Sequence, residues 1–549
     1  MTDKQVVIKT ALFSVTDKTG LEQFAISLLQ MNPTLKIIAS GGTAKVLEEA
    51  GISVIPLEKY TGFPECFDGR VKTLHPNIEG GILFKRGIHD EQAEELGIHA
   101  IDLVVCNLYR FEDAAKDKNL TFNDLIEFMD IGGSTLIRSS VKNHSDVTVV
   151  TDPNDYERLI EEMQSNDGAV TQKTRKHLAV KAMNLSAIYE VAISSELSSR
   201  LSGEQIIRPS LIKGQKLRYG ENPDQEAWVY HLEDEVGIAQ AKVISGKEQS
   251  YNNYEDANVA YNATQELSNM KVEYGVSVVK HGSLCGYSTG PNLVEAFEKA
   301  WEGDSKSAYG SVISFTQKID ESLIESLKGK FIEVIIAPGF DSNFVAWAKD
   351  KRPNLRLLEA PQKSTSRMMY KNVSGGMLVQ TKKELKSINI DRLFHTHSDE
   401  RVGVVTKRKP EKGSFGTYAF AIAAVNYAKS NAIVIVREWT PGYYQLIGVG
   451  SGQPNRVDSL QKSALPKAID NLERENAGVL NYDFKKDLES CVLASDGFFP
   501  FDDSVRYAAD FGIKYCLQPG GSKRDDEVIQ AADELDLCMI FTGERYFTH

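Results

Sequence analysis

Lys280 and His281 stand side by side where an apolar run, residues 276–279, breaks into Gly282 and Ser283. An ammonium next to an imidazole can take a proton from a nucleophile and hold the oxyanion that forms as that nucleophile attacks. Consecutive strand residues point to opposite faces, so the two side chains serve one substrate only where the strand stops, and Gly282 permits the turn that stops it. The plain alternative is a surface lysine followed by a packed histidine.

Polar strand ends of the same kind recur through the first two hundred residues. One apolar run ends at Ser14 before Thr16, Asp17 and Lys18; residues 35–39 end at Ser40-Gly41-Gly42-Thr43; residues 101–105 end at Cys106-Asn107, with Tyr109 beyond. Leu21, Phe24, Ala25, Leu28 and Leu29 recur at helical spacing after the first of these. Residues 52–55 and 146–150 read as further strands. Strands alternating with helices predict a parallel sheet, whose ligands sit beyond the carboxyl ends of its strands. Glycine pairs let several N–H groups converge on a phosphate at a helix start, where the helix field contributes roughly 0.3–1 kcal/mol; a plain turn uses the same residues. Gly132-Gly133 after Asp130 is a second such opening, and Arg70 and Lys72 put two cations on a turn. Together these features predict an anion-holding pocket.

Composition narrows the classes. A chain of 549 residues exceeds one core and suggests several units of ~100–200 residues. The formal charge of −13 argues against nucleic-acid and anionic-membrane partners. No apolar run reaches the ~20 residues of a membrane span, and the opening Met-Thr-Asp-Lys-Gln lacks a signal-peptide pattern, so the expected location is cytoplasmic. Six cysteines without a Cys-x-x-Cys pair read as reduced, packed thiols. His395 and His397 have no further ligand at metal spacing, so no metal site is expected.

The runs Ser14-Val-Thr-Asp-Lys-Thr-Gly, Ser40-Gly-Gly-Thr, Gly69-Arg-Val-Lys-Thr-Leu-His-Pro, Cys106-Asn-Leu-Tyr and Asp130-Ile-Gly-Gly-Ser-Thr-Leu-Ile-Arg resemble the IMP cyclohydrolase domain of the bifunctional AICAR transformylase/IMP cyclohydrolase family. Arg218-Tyr-Gly-Glu-Asn-Pro, Lys280-His281, Lys429-Ser-Asn431-Ala, Gly450-Ser-Gly-Gln-Pro-Asn-Arg456, Ser495-Asp-Gly-Phe-Phe-Pro-Phe, Gln518-Pro-Gly-Gly-Ser and the final Arg545-Tyr-Phe-Thr-His549 resemble its transformylase domain. The resemblance implies an α/β chain. A methylglyoxal-synthase-like parallel-sheet domain would occupy residues 1–203, and a transformylase domain of two cytidine-deaminase-like subdomains without zinc would occupy 204–549. The implied chemistry is formyl transfer from 10-formyltetrahydrofolate to AICAR, giving FAICAR, then dehydrative closure to IMP, in a homodimer without a catalytic metal. A structural monovalent cation is left open.

Carried over residue by residue, the cyclohydrolase ligand positions fall on Ser14, Thr16, Asp17, Lys18, Ser40, Gly41, Gly42, Thr43, Arg70, Val71, Thr73, Cys106, Asn107 and Ile131, and its catalytic positions on Lys72, Tyr109, Asp130 and Lys142. If residues 133–141 are helical, Asp130 and Lys142 lie about 18 Å apart along the axis, beyond the reach of both side chains in a straight geometry, so either the helix is shorter or Lys142 approaches by another route. On the transformylase side His281 is the implied base and Lys280 the oxyanion donor. Arg218, Tyr219, Gly310, Glu333, Asn431, Phe498 and Arg545 are implied for the nucleotide, and Arg456, Asp503, Ser522 and Lys523 for the folate.

The chain departs from the family pattern at Arg110, where proline is usual, and at Leu284, where a proline follows the Lys-His pair. Tyr309 replaces a phenylalanine, and Glu333 an aspartate found in some members. Two other readings compete: a nucleotide-sensing regulator whose second half is inactive, which Lys280, His281 and Asn431 weigh against, and a zinc deaminase, which the missing ligand cysteines oppose.

Overall fold

A computed structural model describes residues 4–549 apart from 68, 118, 234, 384, 386–392, 395–401 and 412–413, so His395 and His397 lie outside the described residues. The chain divides into two compact units, Met1–Ser210 and Leu211–His549. Gly203, at the expected boundary, ends a helical run with a left-handed φ of +72°, and the compact units part after Ser210.

In the first unit the strands Ile55–Pro56, Lys36–Ala39, Thr10–Ser14, Leu103–Cys106 and Thr148–Val150 lie side by side in that order, all parallel. Both faces are covered, so the strands read as continuous apolar runs. Ala11 and Phe13 pack with Leu21, Phe24 and Leu28 on one face, while Leu12 packs with Ile78, Leu136 and Ile137 on the other. Phe13 and Leu12 are fully buried, each worth about 1.5–3 kcal/mol of removed apolar surface. The strand expected over 52–55 shrinks to Ile55–Pro56, because the Ile52 N–H is taken by the Leu47 carbonyl at 3.0 Å where the preceding helix ends.

The second unit is built on one twelve-stranded sheet whose two halves share an element order. Each half has an antiparallel edge strand, a helix, a hairpin, a second helix and three parallel strands. In the first half these are Lys242–Ser245, Tyr251–Asn269, Tyr274–Lys280 with Ser283–Gly290, Leu293–Glu302, then Ser311–Phe315, Ile332–Ala337 and Arg356–Glu359. In the second they are Gly403–Val404, Phe415–Asn426, Ile433–Thr440 with Tyr443–Gly450, Leu465–Glu475, then Val492–Ser495, Tyr515–Gln518 and Cys538–Phe541. The halves meet where Ser288 pairs with Gln445. The helices Tyr251–Asn269 and Phe415–Asn426 share one core on one face; on the other, Leu293–Glu302 and Leu465–Glu475 each cover their own half. Two further hairpins, Leu211–Lys216 with Trp228–Leu232 and Met368–Val373 with Gly376–Thr381, stand apart as two-stranded sheets.

The six cysteines are free, five of them buried. Among the described residues no helix is long and apolar enough to cross a membrane.

Candidate active sites

In the first unit the strand order reverses between Thr10–Ser14 and Leu103–Cys106, where connecting segments leave in opposite directions and open a crevice. A cavity of about 470 Å³ lies there. Ser14, Thr16 and Lys18 reach it from the first strand end, and Ser40, Gly42 and Thr43 from the start of the Gly41–Glu49 helix. Arg70, Lys72 and Thr73 come from the turn before the Pro76–Leu83 helix; Asn107 and Tyr109 follow Cys106; Asp130 and Ile131 open the Ile131–Lys142 helix.

Asn107 ties the two strand ends together. Its Oδ1 accepts the N–H groups of Thr16 and Asp17 at 2.6 and 3.0 Å, and its Nδ2 donates to the Asp17 carbonyl at 2.9 Å. The two helix starts differ in charge. The Ser40 side chain makes no capping bond and meets Ser14 Oγ at 3.1 Å, leaving the first N–H groups of its helix without an intrahelical partner. Asp130 caps its own helix by accepting the Gly133 N–H at 2.6 Å. Burial holds the Asp130 carboxyl above the usual carboxylate range, opposed by that bond, the Lys72 cation and the Tyr109 backbone. Anions are therefore favoured at the Ser40 end, near Lys18, and proton chemistry at the Asp130 end, near Lys72.

Five expected residues do not line this cavity. Asp17 turns to its own loop and accepts from the N–H and hydroxyl of Thr19 at 3.0 and 2.7 Å. Gly41 is the exposed first residue of its helix, and Val71 pairs with Cys66 in an isolated bridge. Cys106 is fully buried with Sγ 3.8 Å from the Gly133 carbonyl, and burial pushes its thiol well up, so it packs and does not react. Lys142 is exposed at the far end of the twelve-residue helix that Asp130 caps, so the separation read from the sequence stands and the fold does not bring it to the cavity.

Other residues at this site have fainter sequence signals. Tyr189, on the long Gln172–Leu197 helix, accepts the Asp130 N–H at 2.7 Å and donates to the Phe128 carbonyl at 2.8 Å, which fixes the capping residue. Glu127 lines the cavity and pairs with Arg70; no spacing in the sequence marks it. Gly132 was visible as half of a glycine pair, and the structure gives it a steric reason: a Cβ there would come 2.3 Å from Thr73 Oγ1. Gly132→Ala is therefore expected to cost about 1–3 kcal/mol by overpacking, which thermal unfolding of the variant checks.

In the second unit Lys280 closes its strand, and His281-Gly282 form the two-residue turn into Ser283–Gly290. Both have positive φ, +53° and +69°, as the tightest hairpin turn requires. Lys280 Nζ donates to the Tyr309 carbonyl at 2.6 Å, which takes one of its three donors. Asp256 accepts the N–H groups of His281 and Gly282 at 3.3 and 2.6 Å, and Lys429 Nζ donates to the His281 carbonyl at 3.0 Å. Leu284 pairs with Val279 and is 2% exposed, so the place where the family carries proline is a core position here.

The same unit holds a cavity of about 390 Å³ whose lining includes Arg218, Tyr219, Phe331, Glu333 and Arg356. The Arg218 guanidinium sits 5.3 Å over the Tyr219 ring. Glu333 accepts from Asn253 Nδ2 at 2.9 Å and lies 3.7 Å from Arg356. Gly310, at φ +79°, lets the chain pass under Lys280: a Cβ there would stand 3.9 Å from Nζ and 3.4 Å from the Phe331 ring. Tyr309, the replaced phenylalanine, is tilted against the same Phe331 ring at 5.1 Å.

Asn431 donates to the carbonyls of Gln453 and Pro454 at 3.0 and 2.9 Å. Arg456 Nε meets the fully buried Asp496 at 3.1 Å, and Ser430 also donates to Asp496. Arg456 and Arg545 lie 5.4 and 4.9 Å from the Phe547 ring, and Phe498 is half-buried beyond Val492–Ser495. Lys429 joins this cluster to the His281 turn. Asp503 accepts from its neighbour Ser504, while Ser522 and Lys523 sit in the loop before Asp525–Glu534. Among the described residues none of these three shares a hydrogen bond with Lys280 or His281. Arg110, the other departure, pairs with Asp113 at 2.7 Å on the surface.

A family model described as "AICARFT/IMPCHase bienzyme" matches residues 140–466, and one described as "MGS-like domain" matches 20–135. The chain belongs to the AICARFT/IMPCHase bienzyme family. It is 40% identical to the "Bifunctional purine biosynthesis protein PurH" of Lactobacillus acidophilus, over 99% of this chain and all of the relative. The protein of the same name from Persephonella marina is 40% identical over 98% of this chain and all of that one. A solved structure titled "Crystal structure of ForH" is 31% identical over 35% of this chain and 98% of its own, with a TM-score of 0.31 that supports no comparison of folds. As a member of this family the chain is a bifunctional enzyme of purine biosynthesis. It carries AICAR formyltransferase and IMP cyclohydrolase activities, the last two steps to IMP, and the first of them takes a folate cosubstrate.

Proposed function

We propose that the two activities occupy separate sites, closure of FAICAR in the cavity of the first unit and formyl transfer at the Lys280-His281 turn of the second. The observation that supports this is that the cavity of the first unit is lined by its strand ends, while the Lys280-His281 turn lies wholly in the second unit. The formyl donor is 10-formyltetrahydrofolate. His281 takes a proton from the AICAR amine as its nitrogen attacks the formyl carbon, and Lys280 holds the oxyanion with the donors that Tyr309 leaves. The carbon–N10 bond then breaks, and N10 leaves with a proton as tetrahydrofolate. Arg218, Tyr219 and Glu333 hold the nucleotide.

In the first unit the FAICAR carboxamide nitrogen attacks its own formyl carbon and water departs. Asp130 orients the amide, Lys72 and Tyr109 move protons, and the phosphate rests at the Ser40 helix start near Lys18. Thr73 Oγ1, buried at the cavity wall with no partner among the described residues, supports a polar ligand group there.

We further read the second unit's doubled sheet as two cytidine-deaminase-like subdomains, and the protein as a cytoplasmic homodimer. Isolated hairpins are marginal in water, and these two leave Trp228, Tyr230, Met369, Met377 and Leu378 exposed, apolar surface that a second copy would cover. Light scattering is expected to give twice the 60.9 kDa of one chain. The reading as a whole is tested by supplying AICAR and 10-formyltetrahydrofolate and following absorbance and products. IMP is the expected end product; accumulation of FAICAR without IMP would refute the closure site.

A further inference from the structure

We infer that Asp256 is a positioning residue for formyl transfer, fixing the backbone turn that aims His281 and Lys280. The inference rests on the reading of those two side chains as the formyl-transfer groups.

His281 is a non-glycine residue in the left-handed region, with φ +53°, a conformation that persists only where its surroundings hold it. Tight turns of this kind normally carry Asn, Asp or Gly at the first central position. What replaces that local preference is a carboxylate from another element. Asp256, on the helix Tyr251–Asn269, accepts both successive N–H groups of the turn, with Oδ2 3.3 Å from His281 N and Oδ1 2.6 Å from Gly282 N. From the opposite side Lys429 Nζ donates to the His281 carbonyl at 3.0 Å and packs so near Gly282 that a Cβ would meet it at 3.0 Å. Both sides of the turn's backbone are therefore engaged by charged groups.

Proline after the Lys-His pair would stiffen this loop covalently, and the chain has Leu284 there, turned into the core. The carboxylate supplies the stiffness that the missing ring does not. Burial raises the Asp256 carboxyl above its ordinary range, while the two N–H donors and the nearby Lys429 cation oppose the rise. A partly buried carboxylate is retained at that cost where it holds other groups in place.

The test uses the full-length enzyme carrying Asp256→Asn or Asp256→Ala. A misplacement of about 1 Å at a reacting group costs on the order of 10²-fold, so kcat for formyl transfer should fall about 10²-fold in D256A and about tenfold in D256N, which keeps one acceptor. KM for AICAR and closure of supplied FAICAR should stay at their unmodified values, and D256N should unfold at the unmodified temperature. Unchanged kcat in D256A overturns the inference, as does a D256N variant whose KM and unfolding temperature change together with kcat, since that marks a general structural role. His281→Ala made alongside separates the two levels. If H281A retains formyl transfer, the underlying reading fails; if H281A is inactive while D256A works at full rate, only the role of Asp256 fails.

Discussion

His281→Ala is expected to lose formyl transfer by about 10²–10⁴-fold while closing supplied FAICAR at the unmodified rate. The amine of AICAR is conjugated with its ring and is a weak nucleophile, so a base that removes its proton during attack carries much of the acceleration. No other imidazole among the described residues shares the turn, and the neighbouring Lys280 is already tethered to the Tyr309 carbonyl. Closure is expected to be untouched in this variant because the side chains proposed for it belong to the other unit. Steady-state assays of the two half-reactions on one preparation decide the matter. Loss of both activities would contradict separate sites.

Lys72→Ala is expected to give the mirror result, with FAICAR closure lowered by about 10²–10⁴-fold and formyl transfer retained, so that FAICAR accumulates from AICAR. Lys72 lines the cavity, and its charge acts on the half-buried Asp130 carboxyl. Removing the cation leaves that carboxyl less favourably ionised, which adds to the loss of a proton donor. The same logic sets the sign of the pH effect on stability. Asp130 has a raised folded-state pKa, so the unfolded chain gives up this proton first, and the site's contribution falls as pH rises from the ordinary carboxylate range through the folded value. Asp130→Asn should flatten that dependence in unfolding midpoints measured between acid and neutral pH.

Much of the first unit was legible because parallel strands buried on both faces leave apolar runs, and because each run ended in polar or glycine residues. The pocket followed from those ends. The third strand was overread: Ile52 is apolar and buried, yet its N–H caps a helix and never enters the ladder. In the second unit the Lys-His strand end was legible, but the partner strand Ser283–Gly290 was not marked out, and the elements between 341 and 381 left no pattern that stood out. Tyr189, Asp256 and Lys429 act through backbone groups far away in sequence, and such contacts leave no spacing to find. Lys142 shows the reverse case, where family likeness named a residue and helix length already placed it out of reach.

On the proposed assignment the two reactions use different side chains, those of closure in the first unit and the Lys280-His281 pair in the second, and FAICAR passes between them. Mixing the H281A and K72A proteins with AICAR and 10-formyltetrahydrofolate tests this most directly, since each variant lacks what the other keeps. Neither protein alone is expected to make IMP from AICAR, and the mixture is, with FAICAR made by K72A and closed by H281A. A mixture that makes no IMP, although each protein is folded, would contradict the proposed assignment.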